Sequence, residues 1–422
     1  EHYLDGGLSQ NVEEARQPSQ KLWISVFIFI AGGLPAIVLR LSDAHIDPIF
    51  AALLYGLGIV AGAFLLSWAA EVAQMDISAS FAIAVLALVA VLPEYAIETV
   101  LAWQAGASYN PEIAEFTDEM GRVAANVTGS NRLLIGLGWS LVILIYWLKR
   151  RTILDMRGTM GLEMAMIVIA TALTALIFIF GEVNLLLAVA LILLFVYYLW
   201  RSSTSESEEP ELVGVARLVG ALPPVQRRTV AGAFLVYAAG IILVAAEPFV
   251  EGLVETGVEF GIDEFILIQW LAPLASESPE IIVAFLFSLR SNPTAGLTTL
   301  ISAEVNQLTL LIGSMVVLFS ASAGELLSFP LDDRQSIEFM LTTAVSVFAV
   351  LLIAPRVLHW WMGALLLALF IAHLFFPDQD VRRLFAYLYF GLAAVLIVAD
   401  RSRVVHLLSA LKDQFRPAKQ DG

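Results

Sequence analysis

The chain has 422 residues, of which 59% are hydrophobic and only 15% charged, and its mean hydropathy is +0.82. Soluble domains carry about 25% charged residues, and no water-soluble core of this size hides so much apolar sequence, so the composition predicts a polytopic membrane protein. Nine Trp and 25 Phe exclude a disordered chain, the lack of Cys excludes disulfides and thiolate metal sites, and a net charge of −16 argues against a nucleic-acid partner.

A helix needs about 20 apolar residues to cross the hydrocarbon core. Twelve stretches qualify: Leu22–Leu41, Pro48–Ala70, Ile77–Trp103, Val123–Leu148, Leu162–Gly181, Val183–Trp200, Thr229–Val250, Phe265–Leu289, Thr294–Ser320, Ile337–Pro355, Trp361–Pro377 and Leu384–Ala399. Unbroken apolar runs exclude a β-barrel, whose strands alternate. The first stretch follows polar Asn11–Lys21 without a cleavage pattern, so it reads as a retained helix and not as a signal peptide.

Twelve crossings put both termini on one side. With the amino terminus inside, seventeen Lys and Arg fall inside. Only Arg40, Arg122, Arg334, Arg382 and Arg383 fall outside, and Arg132 lies within a span. Basic residues stay on the cytoplasmic face, so the expectation is a cell (inner) membrane protein with cytoplasmic termini. Polar Arg201–Arg228 reads as a flexible cytoplasmic linker between residues 48–200 and 229–377. Residues 1–47 and 378–422 each add one helix, and Arg401–Gly422 reads as a tail with an amphipathic surface helix as the alternative.

The two halves share a pattern. Ala87–Trp103 and Ala272–Leu289 each hold a Pro-Glu pair, Pro93-Glu94 and Pro279-Glu280. In the next span of each half, Asn131–Gly138 and Asn306–Gly313 each run from an Asn to a Gly seven residues later. By span count one unit runs outward and the other inward. That is the pattern of inverted-repeat transporters, whose sites lie near the midplane.

Pro93-Glu94 followed by Ala125-Asn126-Val127-Thr128-Gly129-Ser130-Asn131 resembles the first α-repeat of the calcium/cation antiporter superfamily, which includes the sodium/calcium exchangers. Ser276-Glu277-Ser278-Pro279-Glu280 followed by Ser302-Ala303-Glu304-Val305-Asn306 resembles the second. The resemblance covers roughly residues 48–377. It implies an all-α polytopic membrane protein of about twelve transmembrane helices, in two inverted five-helix repeats with one extra helix at each end. It also implies that Glu94 and Glu280 are the central paired ligands, with Ser130, Asn131, Ser302 and Asn306 adding oxygens. Two features depart from the family. Ala90-Val91-Leu92 replaces small hydroxyl residues before the first Pro-Glu, and Glu304-Val305-Asn306 replaces the second Gly-Ser-Asn. The register of the Asn-bearing spans stays open between two choices three residues apart.

The residues themselves argue for a cation. A charge at mid-membrane costs at least ~2.5–3.5 kcal/mol. Yet Glu94, Glu98, Glu277, Glu280 and Glu304 all fall in central stretches, against Arg132 as the single base there. Either they share protons or a cation joins them. Pro93 and Pro279 each remove a backbone donor, and the freed carbonyl is a further oxygen ligand. Oxygen-only ligation suits Ca²⁺. Of five His only His373 lies in a span, which speaks against zinc or copper. The expected function is therefore a secondary antiporter, not an enzyme, exchanging Ca²⁺ for Na⁺ or H⁺. It needs no cofactor beyond the transported ions, and its partners are the lipid bilayer and inorganic cations. A monovalent Na⁺(K⁺)/H⁺ antiporter using the same carboxylates is the alternative, and a cation channel a weaker one. Arg132 is expected to act as an internal counter-charge. The oligomeric state is not set by the sequence.

Overall fold

A computed structural model describes residues 19–42, 46–73, 75–76, 91–113, 116–203, 212–289 and 292–415. Helix α1 (Ser19–Ser42) is followed by α2 (Pro48–Ala73) and α3 (Leu92–Ser108). The first half continues through α4 (Asp118–Arg150), strand β1 (Leu154–Asp155), α5 (Gly161–Phe180), β2 (Glu182–Val183) and α6 (Leu185–Ser203). Short α7 (Gly214–Gly220) leads to α8 (Pro224–Phe260) and α9 (Glu264–Leu289). Then come α10 (Pro293–Ala323), β3 (Phe329–Pro330), α11 (Asp333–Ile353), β4 (Val357–Leu358), α12 (Trp360–Leu374), α13 (Gln379–Ala399) and α14 (Ser402–Phe415).

Among the described residues ten helices are long and apolar enough to cross a membrane. Of the other two predicted stretches, one is shorter than expected and one is described only in part. Trp361–Pro377 folds as α12, only 15 residues long. Of Ile77–Trp103, residues 77–90 lie outside the described residues and the remainder enters α3.

The halves repeat an element order: α4–β1–α5–β2–α6 and α10–β3–α11–β4–α12. Both α4 and α10 carry an internal π-helical segment, Leu134–Trp139 and Gln307–Leu311. The strands pair crosswise. Leu154 of β1 faces Leu358 of β4, and Glu182 of β2 faces Pro330 of β3. Since β1 precedes α5 and β4 follows α11, the start of α5 lies beside the end of α11. The second pair puts the end of α5 beside the start of α11, so the two helices run in opposite directions.

Burial grades from centre to rim. In its most apolar stretch α11 is 83% buried, whereas α1 and α13 are 17% and 22% buried and turn most of their apolar surface outward. For a chain in lipid that surface is solvated by hydrocarbon.

Two end segments correct the reading of loose connectors. In the linker, residues 204–211 lie outside the described residues. Beyond them, α7 buries Val215, Ala216 and Val219 against α1 and α2. The tail is an amphipathic helix, α14, which buries Leu407 and Ala410. Its Arg403 donates to the carbonyls of Leu351 and Leu352, satisfying acceptors left over at the end of α11.

Candidate cation site

Helices α3, α9 and α10 gather the carboxylates. Pro93 occupies the first turn of α3, where its missing N–H costs no helical hydrogen bond, and Glu94 follows in that same turn. Gln307 Nε2 on α10 donates to Glu94 Oε1 at 3.2 Å and also to Glu277 Oε1 on α9. Asn306 Nδ2 donates to Glu94 Oε2 at 3.3 Å, and Tyr95 holds Asn306 by donating its hydroxyl to Oδ1 at 3.2 Å. Gln307 thus bridges the carboxylates of Glu94 and Glu277. Glu98, a turn further along α3, accepts from Asn126 Nδ2 at 2.8 Å. Glu98, Glu277, Glu280 and Glu304 all lie near enough to feel the charge of Glu94, which makes it the hub.

Among the described residues, several buried oxygens in and around this cluster have no hydrogen-bond partner: both of Glu304, one each of Glu98, Glu277 and Glu280, and the side-chain oxygens of Gln307 and Asn131. A buried polar atom left unmatched costs about 1–3 kcal/mol, and more when charged, so these atoms are acceptors awaiting a cation, a proton or water. Among the described residues no three carboxylate or imidazole groups converge closely enough to hold an ion by themselves. The donor set is a spread of carboxylates and amides, not a closed cage.

Of the remaining predicted residues, two hydrogen-bond outside the carboxylate group. Ser302 accepts from the Tyr198 hydroxyl at 2.8 Å, and Asn131 Nδ2 is spent on the Val127 carbonyl at 2.8 Å. Ser130 is buried on α4. Glu94 shares the donor Gln307 with Glu277. The prolines also behave differently from expectation. Helix α9 continues through both Pro273 and Pro279, and the Ala275 carbonyl freed by Pro279 accepts from Ser278 Oγ at 3.4 Å.

Arg132 has a partner the sequence reading passed over. Its Nη2 lies 2.6 Å from Glu338 Oε2 on α11. The other Glu338 oxygen accepts from Arg382 at the start of α13, and Gln269 Nε2 donates to Glu338 Oε2 at 3.0 Å. Arg132 is thus committed to Glu338, and among the described residues none of the five cluster carboxylates has a basic partner within 4 Å. Nor is it a lone buried base, because Arg382, placed in an outer loop by span counting, is 1% exposed and shares Glu338 with it. Gln307, Tyr95 and Asn126 were likewise not singled out as site residues, although Asn126 and Gln307 lie in or beside the motif runs.

A family model described as sodium/calcium exchanger protein matches residues 48–204 and 230–377. The chain belongs to this family. It is therefore an integral membrane antiporter of the calcium/cation antiporter superfamily, and its relatives are exchangers and not enzymes. Among solved structures, the H⁺/Ca²⁺ exchanger CAX is 37% identical to this exchanger, with a TM-score of 0.86 over 93% of this chain and 98% of CAX. YfkE is 16% identical, with a TM-score of 0.59 over 86% of this chain and 99% of its own. The sodium-calcium exchanger NCX_Mj is 18% identical, with a TM-score of 0.50 over 77% and 95%. At those two identities the likeness is one of fold. No match was found among curated protein sequences. In this exchanger α13 and α14 lie beyond the family-matched residues.

Proposed function

We propose that the protein exports Ca²⁺ in exchange for protons, by alternating access at the Glu94 cluster. The observation that carries this reading is a group of five clustered carboxylates, in which Glu98, Glu277, Glu280 and Glu304 each hold an oxygen with no partner among the described residues, in a chain 37% identical over 93% of its length to an H⁺/Ca²⁺ exchanger. Ca²⁺ takes six to eight oxygens at flexible geometry, and Glu94 with Glu277 or Glu280, amide oxygens and water would supply them once the helices close on the ion. Protons are the counter-ion because, among the described residues, no basic side chain pairs with the cluster to neutralise it once Ca²⁺ leaves. Carboxylates this close do not all stay ionised in hydrocarbon, so protons replace the departing cation. The missing hydroxyls at Ala90-Val91-Leu92 argue against several dedicated Na⁺ sites.

Alternating access is read from an inverted repeat of two five-helix units. Its supports are the repeated element order, the crosswise strand pairs and the opposite directions of α5 and α11. The carboxylates of α9 and α10 fall about halfway along their helices, where a site between two rocking units belongs. Both termini are read as cytoplasmic on the basic-residue bias. The test is Ca²⁺ uptake into liposomes holding the purified protein. A pH gradient should drive Ca²⁺ against its own gradient, and a Na⁺ gradient should not. Flux driven only by Na⁺ would replace the proton reading with Na⁺ exchange.

A further inference from the structure

A cavity of about 330 Å³ opens at the end of the molecule where α4, α9 and α11 begin. Asp118, Arg122, Asp263, Glu264 and Arg334 line it, and so does Gln335, which is only 1% exposed. One turn deeper on α11 is Glu338. Around it Arg132, Arg382, Gln269 and Thr128 are each 1% exposed or less. Four helices meet in this layer: Arg132 and Thr128 from α4, Gln269 from α9, Glu338 from α11 and Arg382 from α13. Arg382 Nη1 donates to Gln269 Oε1 at 2.8 Å as well as to Glu338, and Arg132 Nε donates to the Thr128 carbonyl at 3.0 Å. Beyond the layer, α9 proceeds from Gln269 to Ser276 and Glu277, about 10 Å further along the helix axis, at the carboxylate cluster.

We propose that this Arg132–Glu338–Arg382 layer is the closed partition between the cavity and the cation site, and that α13 takes part in transport by supplying Arg382. A purely structural cross-link has no need of a charge excess, yet two guanidinium groups share one carboxylate here. Arg132 Nη1 and Arg382 Nη2, with Gln335 Oε1 above them, have no hydrogen-bond partner among the described residues. The layer therefore faces a cation descending from the cavity with a net positive charge. It also holds polar atoms that can rearrange without exposing apolar surface. To admit the cation, Glu338 must release at least one arginine, which lets α11 or α13 move relative to α4. The layer has this role because the Glu94 cluster carries the ion, so the inference rests on the functional reading above.

The experiment reads access, not transport, and so fails or succeeds independently of that reading. The chain has no native Cys, and Ser276, 3% exposed between the layer and Glu277, is replaced by Cys. An impermeant thiosulfonate reagent is added to each face of sealed vesicles in turn. With the layer intact, labelling from the cavity face is slow. Glu338→Gln or Arg382→Gln should raise that rate at least ~10-fold by shifting the closed population, with no rise from the opposite face. General loosening would raise labelling from both faces and would overturn the proposal, as would unchanged rates in both variants. Arg382→Lys, which keeps the charge but loses the planar fork, provides the same readout if the glutamine variants fold poorly. A smaller rise on the cavity face alone supports the partition, and an unchanged rate overturns it.

Discussion

Glu94 takes hydrogen bonds from Asn306 and Gln307 on its two oxygens, and Gln307 also donates to Glu277, so three helices register their positions around one carboxyl group. Glu94→Gln and Glu280→Gln keep the size of each side chain and remove its charge. Both should abolish Ca²⁺ flux in liposomes while the protein inserts and purifies normally, and wild-type flux in either would place the ion elsewhere. Glu98→Gln should slow flux by only about 10-fold, as removal of an outlying partner does, because Asn126 already occupies one of its oxygens. The acids of this cluster were legible in the sequence, since a glutamate in an apolar stretch is conspicuous. Glu338 was not. It stands at the second residue of its predicted stretch, where an acid reads as the polar end of a span. Its importance comes from Arg132 and Arg382, which approach it from helices far away in sequence. Arg132→Gln should alter the pH dependence of exchange while leaving folded yield near normal, because Arg382 still holds Glu338; unchanged coupling would reduce Arg132 to a structural role.

At the scale of helices, α4 and α9 are locked together at Gly129. A Cβ there would sit 1.9 Å from the Gln269 carbonyl oxygen. That carbonyl has no intrahelical partner because residue 273 is proline, so the backbone of α4 comes up against the gap in the ladder of α9. Gly129→Ala should cost about 1–3 kcal/mol as overpacking, visible as a lower melting temperature, and should displace the neighbouring Asn131. A second joint ties the end of α2 to the start of α8. Arg227 donates to Asp76 at 2.8 and 2.6 Å, with Arg228 at 2.9 Å, and Arg227 foremost holds the Asp76 carboxyl down to about 2, against 3.8 ordinarily. A depressed value means that its stabilisation is full above 3.8 and is lost as pH falls through about 2. Asp76→Asn should therefore lower the melting temperature at pH 7, and the difference from the parent should shrink steadily below pH 4.

For the whole molecule the sharpest prediction is sidedness. Arg157, Arg356, Arg401 and Arg403 collect at the β1–β4 end, whereas Asp118, Asp263, Asp332 and Asp378 lie at or near the ends where α4, α9, α11 and α13 begin. Basic ends stay in the cytoplasm. A Cys at Ser205, in the linker segment outside the described residues, should resist an impermeant reagent applied to intact cells. Reaction from outside would reverse the orientation.

Membrane character, the approximate spans, the Pro-Glu and Asn-bearing runs and the family resemblance all follow from the sequence alone. Each depends on local composition: an apolar stretch long enough to cross, or a charge inside it, is visible within a single window of residues. What the carboxylates do with one another was decided by the tertiary structure. The bonding of Glu94 to Gln307 and Asn306, the closing of Ala275 by Ser278, and the pairing of Arg132 with Glu338 and Arg382 depend on which helix faces which. Neighbouring helices are chosen by packing between segments as much as 250 residues apart, and a buried charge takes whatever partner that packing brings within about 3 Å.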